Sequence, residues 1–233
     1  MFFKWENICL VVLVLNLFNS PLLKAEPISL ERPEPVLDHA WRQHEHQDFS
    51  IASLWYPPIY QEVDVLHYTM DATFILGDSY PDTGELQAVT TIDAQAKAET
   101  LDQLIVDLFD NVTLNSLKLN DVEFTTYTRS EDKIWMDLSA DPIGPGELFE
   151  ITVDYGKVYG GSYQGIKFGI HGDSDTPGIS TASQPYFSPG WWPSFNVPSD
   201  KTTADIYMTF PDWMTAVSNG NLQSEVDNLD GTK

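Results

Sequence analysis

A cluster of possible metal ligands lies near the start of the chain. Its members carry nitrogen or carboxylate donors, and they are His39, His44, Glu45, His46 and Asp48. Zinc sites combine such donors at set spacings, and these five match no established spacing. The sequence therefore favours a solvated polar turn over a metal site here. No H-E-x-x-H motif, which would place two histidines on one helix face to bind zinc, occurs anywhere in the chain.

Other catalytic groups are also missing from the sequence. His67 and His171 stand alone, and lone histidines are more often solvated or hydrogen-bonded side chains than metal ligands. There is no nucleophile elbow and no phosphate-cradling glycine loop. Carboxylates are too numerous, at 35 Asp plus Glu, for any two to be singled out as an acid and a base. The residues by themselves thus show no catalytic centre.

One stretch, from Thr181 to Lys201, has an unusual composition. It holds five aromatic residues and four prolines, which fix the backbone and supply large side chains for burial. Because proline cannot sit in a central strand, we predict a structured loop packed on a sheet. Two interpretations follow: the stretch fills the core as a plug, which composition favours, or Trp191 and Trp192 form an exposed face that stacks on sugars.

The elements around this loop are predicted to be β-strands. From Leu66 to Leu76, apolar and polar residues alternate, which is typical of a strand with one buried face, and the alternation returns from Ala88 to Ala98. Further short strands between turn residues are predicted at Leu104–Leu108, Val112–Leu119, Ile134–Leu138, Phe149–Tyr155 and Ala204–Phe210. Many short strands without a long helical pattern indicate an all-β, antiparallel sandwich or layered sheet.

Two turn signals occur close to Lys233. Asn219 and Gly220 separate Thr215–Ser218 from Leu222–Val226, which predicts a hairpin with an Asn-Gly turn. A second turn signal at residues 228–231 is followed by two residues only. Because a turn needs a returning strand, we expect the chain to be a fragment of a longer protein.

The first 25 residues have the order of a secretory signal. Lys4 precedes a short apolar stretch from Ile8 to Phe18, and Ala25 marks a possible cleavage point. The stretch is shorter than the ~20 residues that span a bilayer, although an uncleaved anchor remains the alternative. Cleavage would give an exported protein, periplasmic or extracellular, without a membrane span. Residues 26–62, which are rich in proline and lack periodicity, are predicted to form an N-terminal arm or linker.

Charge and cysteine content exclude two classes of interaction. The formal net charge of −23 repels phosphate backbones, so nucleic acid is not an expected partner. The only cysteine, Cys9, lies in the predicted leader, so the processed chain would hold neither a disulfide nor a cysteine-ligated metal.

The aromatic stretch resembles a segment found in the N-terminal domains of the aminopeptidase N and leukotriene hydrolase family of zinc metallopeptidases, the gluzincins. The resemblance rests on Gln184 with Pro185, on the run from Trp191 to Asn196, and on Pro198 to Lys201. Three other passages are similar to the family as well: Asp64–Thr73, Gly160–Phe168 and Thr215–Gly220. In this chain Ser194 and Asn196 stand where the family usually has Cys and Asp, and Pro189 with Gly190 replaces an Arg-containing stretch. We expect these departures to remove ion pairs that would steady the loop.

The resemblance implies a twisted, saddle-like antiparallel β-sandwich over residues 63–233, capping a catalytic domain that is missing from this chain. It also implies that the zinc ligands and the general base lie outside the chain, which alone would bind no zinc and cleave nothing.

The one substrate contact implied here is Gln184, which would help hold the free amino group of a peptide. An ammonium group needs acceptors, and a Gln carbonyl oxygen is one. A packing or loop-capping role for Gln184 is the alternative. A non-catalytic binding or scaffold domain is the rival function, followed by a carbohydrate-binding sandwich.

Overall fold

The computed structural model describes residues 2–6, 12–15, 58–160, 165–171, 176–183, 187–196 and 200–233. Fifteen strands make up most of these residues: β1 (Phe2–Glu6), β2 (Val12–Leu15), β3 (Val63–Leu76), β4 (Gly84–Ala96), β5 (Gln103–Asp107), β6 (Thr113–Leu119), β7 (Val122–Glu123), β8 (Tyr127–Ser130), β9 (Lys133–Asp137), β10 (Leu148–Tyr159), β11 (Ile166–His171), β12 (Thr176–Thr181), β13 (Thr203–Thr209), β14 (Thr215–Ser218) and β15 (Asn221–Ser224). Two short 3₁₀ turns, Pro58–Glu62 and Ser188–Gly190, accompany them. Among the described residues no helix has the length and apolar character needed to cross a membrane.

The strands form three sheets. Eight strands lie in the order β15-β1-β13-β3-β4-β10-β6-β7, four in the order β11-β12-β2-β14, and three in the order β5-β9-β8. The all-β prediction is confirmed. The expected antiparallel pairing is found between the described strands except at one place, where β13 runs parallel to β3. Parallel neighbours need a crossover, and here residues 77–202 separate the two strands. The saddle-like shape stays a prediction.

Strands β3, β4 and β10 form the centre of the large sheet, and their sequence pattern explains why. Alternate side chains such as Tyr68, Ile92 and Ile151 are buried, while the residues between them are mostly polar and at least partly exposed. The three strands pair over most of their length, with Ile92 opposite both Tyr68 and Ile151. One face of the sheet therefore contributes to the core, as the period-two pattern predicts.

Strand β5 differs from these strands because it is buried on both faces. Leu104, Ile105 and Val106 are each at most 2% exposed, which fits the unbroken apolar run in their sequence. Its last residue, Asp107, is also buried. The strand therefore brings a carboxylate into the interior of the protein, where it needs partners.

The predicted hairpin near Lys233 is wrong in its pairing. β14 and β15 occur close to the predicted positions, but β14 pairs with β2 and β15 pairs with β1, so the two strands enter different sheets. The residues of the turn itself allow the chain to change direction, since Gly220 has a φ of 84°.

The predicted second turn is present: Asn228 N donates to Thr232 O at 3.0 Å, and Lys233 N donates to Phe210 O at 3.0 Å.

Most of the predicted leader and arm lies outside the described residues. This includes the cluster of possible metal ligands at His39–Asp48. Within the predicted leader, Phe2–Glu6 and Val12–Leu15 are strands. The signal peptide and its cleavage near Ala25 stay predictions.

Candidate functional site

The aromatic loop, defined as residues 182–202, connects β12 to β13. Gln184, the predicted substrate contact, lies outside the described residues. The described residues on either side of it are joined, because Phe187 N donates to Ser183 O at 2.9 Å. Trp191 Nε1 also donates to Ser183 Oγ at 3.2 Å. Ser183 and Phe187 are therefore fixed to each other and to the buried part of the loop.

Gly165 fixes the start of the loop by close packing. Its carbonyl accepts a hydrogen bond from Ala182 N at 3.1 Å, and its φ is +85°. A Cβ at this position would collide with the carbonyl oxygen of Phe187 and would lie 3.0 Å from the Trp191 ring. Only glycine satisfies both the left-handed backbone and the close approach. This requirement explains Gly165, which lies in the passage Gly160–Phe168 that resembles the family.

Two buried tyrosines hold the middle of the loop from the inner face of the large sheet. Tyr159 donates its hydroxyl hydrogen to Gly190 O at 2.8 Å, and the Tyr68 hydroxyl accepts Phe195 N at 3.0 Å. The Tyr68 ring also meets Trp192 edge to face, with centroids 4.9 Å apart. Burial raises the pKa of both tyrosines far above the ordinary value, so each hydroxyl keeps its proton.

Asp107 forms a second set of contacts, which we call the Asp107 clasp. Its Oδ2 accepts the Tyr60 hydroxyl at 2.6 Å and Asn196 N at 3.2 Å, while its Oδ1 lies 3.3 Å from Lys133 Nζ. Its backbone exchanges hydrogen bonds with Ser194, from Asp107 N to Ser194 O at 2.9 Å and from Ser194 N to Asp107 O at 3.1 Å. Burial raises the pKa of Asp107, and the Tyr60 hydrogen bond and Lys133 partly offset that shift. The clasp thus joins β5, the first 3₁₀ turn and the loop.

The far end of the loop is attached to the start of β3. Asp200 Oδ2 accepts Val65 N at 3.0 Å. At the positions where the family usually has Cys and Asp, the backbones of Ser194 and Asn196 bond to Asp107. The loop backbone at these two positions is therefore bonded to β5, through the Asp107 backbone at Ser194 and through the Asp107 carboxylate at Asn196.

Burial decides between the two interpretations of the aromatic stretch. Trp191 is 1% exposed, Trp192 is 6% exposed and Phe195 is 8% exposed. Rings buried to this extent have no face free to stack on a sugar. The core-filling plug is confirmed, and the carbohydrate-binding alternative loses the two tryptophans on which it depended.

The described part of the aromatic loop can hold neighbouring residues in position. Within the described residues there is no cluster of three or more His, Cys, Asp or Glu that could hold a metal. The Trp192 Nε1 and Ser194 Oγ atoms are buried, and neither has a hydrogen-bond partner among the described residues. The described loop is a rigid support with unused hydrogen-bonding capacity, and it presents no nucleophile with an adjacent base.

Sequence reasoning missed the residues that hold the loop, namely Tyr60, Tyr68, Asp107, Lys133 and Tyr159. A signal was present for one of them. Asp107 ends an apolar run, and a carboxylate there implies a buried partner. The partners themselves are far away in sequence, since Tyr60 and Asn196 are 47 and 89 residues from Asp107.

Comparison with known proteins gives matches among solved structures. No protein-family model matches the chain, and no curated protein does. An M1 zinc metallopeptidase from Deinococcus radiodurans is similar, with 21% identity and a TM-score of 0.58 over 73% of this chain and 37% of that one. A mutant of it bound to a Tyr-Ser-Ala substrate has 21% identity and a TM-score of 0.58, over 74% of this chain and 38% of the other. A two-domain M1 zinc metallopeptidase mutant bound to L-arginine has 21% identity and a TM-score of 0.57.

This chain has the fold of part of an M1 zinc metallopeptidase. The coverage, which is 38% of the peptidase chain, fits an N-terminal domain of that family. The predicted resemblance is thereby confirmed at the level of the fold. The aromatic loop and its supports belong to this M1-like domain, and the chain spans well under half the length of the peptidases that it matches.

Proposed function

We propose that residues 63–233 form the N-terminal, substrate-capping domain of an exported zinc metallo-aminopeptidase, which removes N-terminal residues from peptides. The observation that carries this proposal is the shared fold: the chain matches only 38% of M1 zinc metallopeptidases, one of them bound to a peptide substrate. A domain of this kind supplies shape and substrate contacts. The remaining part of such an enzyme supplies the reaction.

Within the proposal, Gln184 helps hold the free amino group of the peptide. Support comes from its neighbours, since Ser183 and Phe187 are fixed by the hydrogen bonds described above. An ammonium group carries donors only, and the Gln side-chain carbonyl is an acceptor. A rigid support for such an acceptor would set the distance from the peptide terminus to the reacting bond.

Zinc does not fit the described residues of this chain. They contain no group of three or more possible ligands. On the family resemblance, we place the metal and the residues that bind it in the part of the enzyme outside this chain. The partners proposed for this domain are accordingly the peptide N-terminus and the missing catalytic domain. Export to the periplasm or the extracellular space is proposed from the N-terminal signal alone.

The test uses the full-length enzyme with Gln184→Ala and Gln184→Glu. Loss of a hydrogen bond to a charged group costs ~1.5–3 kcal/mol, so Gln184→Ala should raise KM about tenfold or more. Gln184→Glu should lower KM, because a carboxylate binds an ammonium more strongly than an amide does.

Two controls separate this role from a structural one. Gln87→Ala, which alters an exposed glutamine whose side chain donates to Glu85, should leave KM unchanged. For the cleavage of a peptide with an acetylated terminus, wild type and Gln184→Ala should be equally poor, because the ammonium group is gone. An unchanged KM in Gln184→Ala would remove Gln184 from the substrate site, and the loop-capping role would then stand.

A further inference from the structure

A groove lies on the outer face of the large sheet, on the opposite side from the inward-facing tyrosines. It has a volume of about 300 Å³ and is lined by Leu66, Asp93, Ala94, Asn120, Leu148, Phe149 and Glu150. Leu66 and Leu148 are 41% and 64% exposed, so two large apolar side chains stand open to solvent beside two carboxylates. This combination of an apolar wall and an acidic rim needs a physical explanation.

The two carboxylates face each other across neighbouring strands. Asp93 on β4 is directly opposite Glu150 on β10. Side chains in such a position have Cβ atoms roughly 5 Å apart, and like charges there destabilise a sheet. Among the described residues, neither carboxylate forms an ion pair, the Asp93 carboxylate accepts no hydrogen bond, and Glu150 Oε1 accepts one from the Thr152 hydroxyl at 3.3 Å.

The cationic side chains around the pair do not neutralise it. His67 on β3 lies opposite Asp93, on the side of β4 away from Glu150. Its ring is turned toward β13, where Nδ1 lies 2.7 Å from Thr203 Oγ1 and Nε2 lies 3.8 Å from Asp205 Oδ2. Lys118, on the same face of β6, stands opposite Thr152 and makes no ion pair within the described residues. No cation among the described residues is therefore paired with Asp93 or Glu150, which leaves the two carboxylates open to a positive charge from another molecule.

The walls of the groove are held in place by the backbone. A β-bulge between Val65 and His67 turns Leu66 toward the groove. Bulges of this kind often re-aim a side chain at a functional position. On the other side, Asn120 has a φ of 52° and makes two bonds to Glu150: Asn120 N donates to Glu150 O, and Glu150 N donates to Asn120 Oδ1, each at 2.9 Å.

We propose that this groove binds a lysine side chain of a partner polypeptide. The ammonium group lies between the Asp93 and Glu150 carboxylates, and the four-carbon stem packs against Leu66 and Leu148. Lysine suits the site because its compact charge sits on a flexible apolar stem that can cover exposed apolar surface. The inference is independent of the proposed peptidase function, because no residue that lines the groove belongs to the loop that carries Gln184.

The test uses the 233-residue chain and a short peptide, acetylated and amidated, with the sequence Gly-Leu-Lys-Leu-Gly. Acetylation removes the amino terminus, so recognition by Gln184 plays no part. Binding is followed by backbone NMR shifts. We expect shifts centred on the groove and about tenfold weaker binding to Asp93→Asn or Glu150→Gln, because a charge-assisted hydrogen bond is lost.

Matched controls separate the site from the general negative charge of the protein. Asp71→Asn removes one exposed carboxylate from the same face of β3 and should leave the peptide affinity within about twofold, because screening weakens distant charges. A peptide with norleucine in place of lysine should not bind. Equal binding of the norleucine peptide, equal weakening by Asp71→Asn, or no shifts in the groove would each overturn the proposal.

Discussion

The two faces of the large sheet use the same strands in opposite ways. On the inner face, Tyr68 and Tyr159 are buried and their hydroxyls bond to the aromatic loop. On the outer face, Asp71 on β3 and Asp93 on β4 project with no hydrogen-bond or ion-pair partner among the described residues. The inner face fixes a loop in one position, whereas the outer face leaves charges free to meet another molecule. A change on the inner face should therefore cost stability, while a similar change on the outer face should not.

The largest contrast is expected between two tryptophans. Trp191→Ala should lower the free energy of unfolding by about 3–5 kcal/mol, because it leaves a cavity where a ring is 1% exposed. Trp213 is 45% exposed, so Trp213→Ala should cost far less, about 0.5 kcal/mol. Urea unfolding of both variants measures the difference. Similar losses for the two would contradict the plug interpretation.

The Asp107 clasp should give the next largest effect. Asp107→Ala leaves the Tyr60 hydroxyl, Asn196 N and Lys133 without their shared acceptor, and we expect a loss of about 3 kcal/mol in the free energy of unfolding. Asp71→Ala, on the outer face, should change it by no more than about 0.5 kcal/mol. Amide exchange in the segment 187–196 should quicken in Asp107→Ala only. If exchange there is unaltered, the clasp does not hold the loop.

A smaller effect is expected at two glycines that share a left-handed backbone. Gly165→Ala adds a clash with the Phe187 carbonyl to the backbone strain, so we expect a cost of about 2 kcal/mol or more. Gly146 has a φ of +76° and open space around its Cβ, so Gly146→Ala should cost about 1 kcal/mol from strain alone. Thermal or urea unfolding compares the pair. A cost at Gly165 no larger than that at Gly146 would mean that the loop does not press against this residue.

The smallest effect is a pH dependence that Asp107 imposes. Because burial raises its pKa, the folded protein holds this proton more tightly than the unfolded chain does. Its contribution to stability is therefore fully present below the ordinary pKa of 3.8 and is lost as the pH rises through the raised value. Asp107→Asn does not titrate, so wild type should lose stability relative to this variant across that window. A wild type that gains stability relative to the variant would show that Tyr60 and Lys133 outweigh burial.

The sequence predicted local structure well and pairing poorly. Alternation in Leu66–Leu76 and the apolar run Leu104–Leu108 are local signals, and both lead to strands at those positions. The turn at Asn219 and Gly220 is equally local, yet its flanking strands pair with β2 and β1. A turn residue sets the direction of the backbone only over a few positions, and distant strands decide the pairing.

The candidate site shows the same limit. Aromatic and proline content alone predicted that the stretch around Trp191 packs as a structured loop. The contacts that hold it could not be predicted, because Tyr68 and Phe195 are 127 residues apart and meet only once the sheet has formed. The role of Gln184 came from resemblance, and it stays a prediction.

The most direct test of the central claim is the nucleotide sequence beyond codon 233. We expect an open reading frame that continues into an H-E-x-x-H motif, whose histidines bind zinc and whose glutamate is the general base, and into a downstream glutamate. Gln184 would then be the first residue to mutate in the complete enzyme. A stop codon directly after Lys233 would contradict the proposed peptidase function, and the M1-like fold would have to serve a binding or scaffold function without a peptidase.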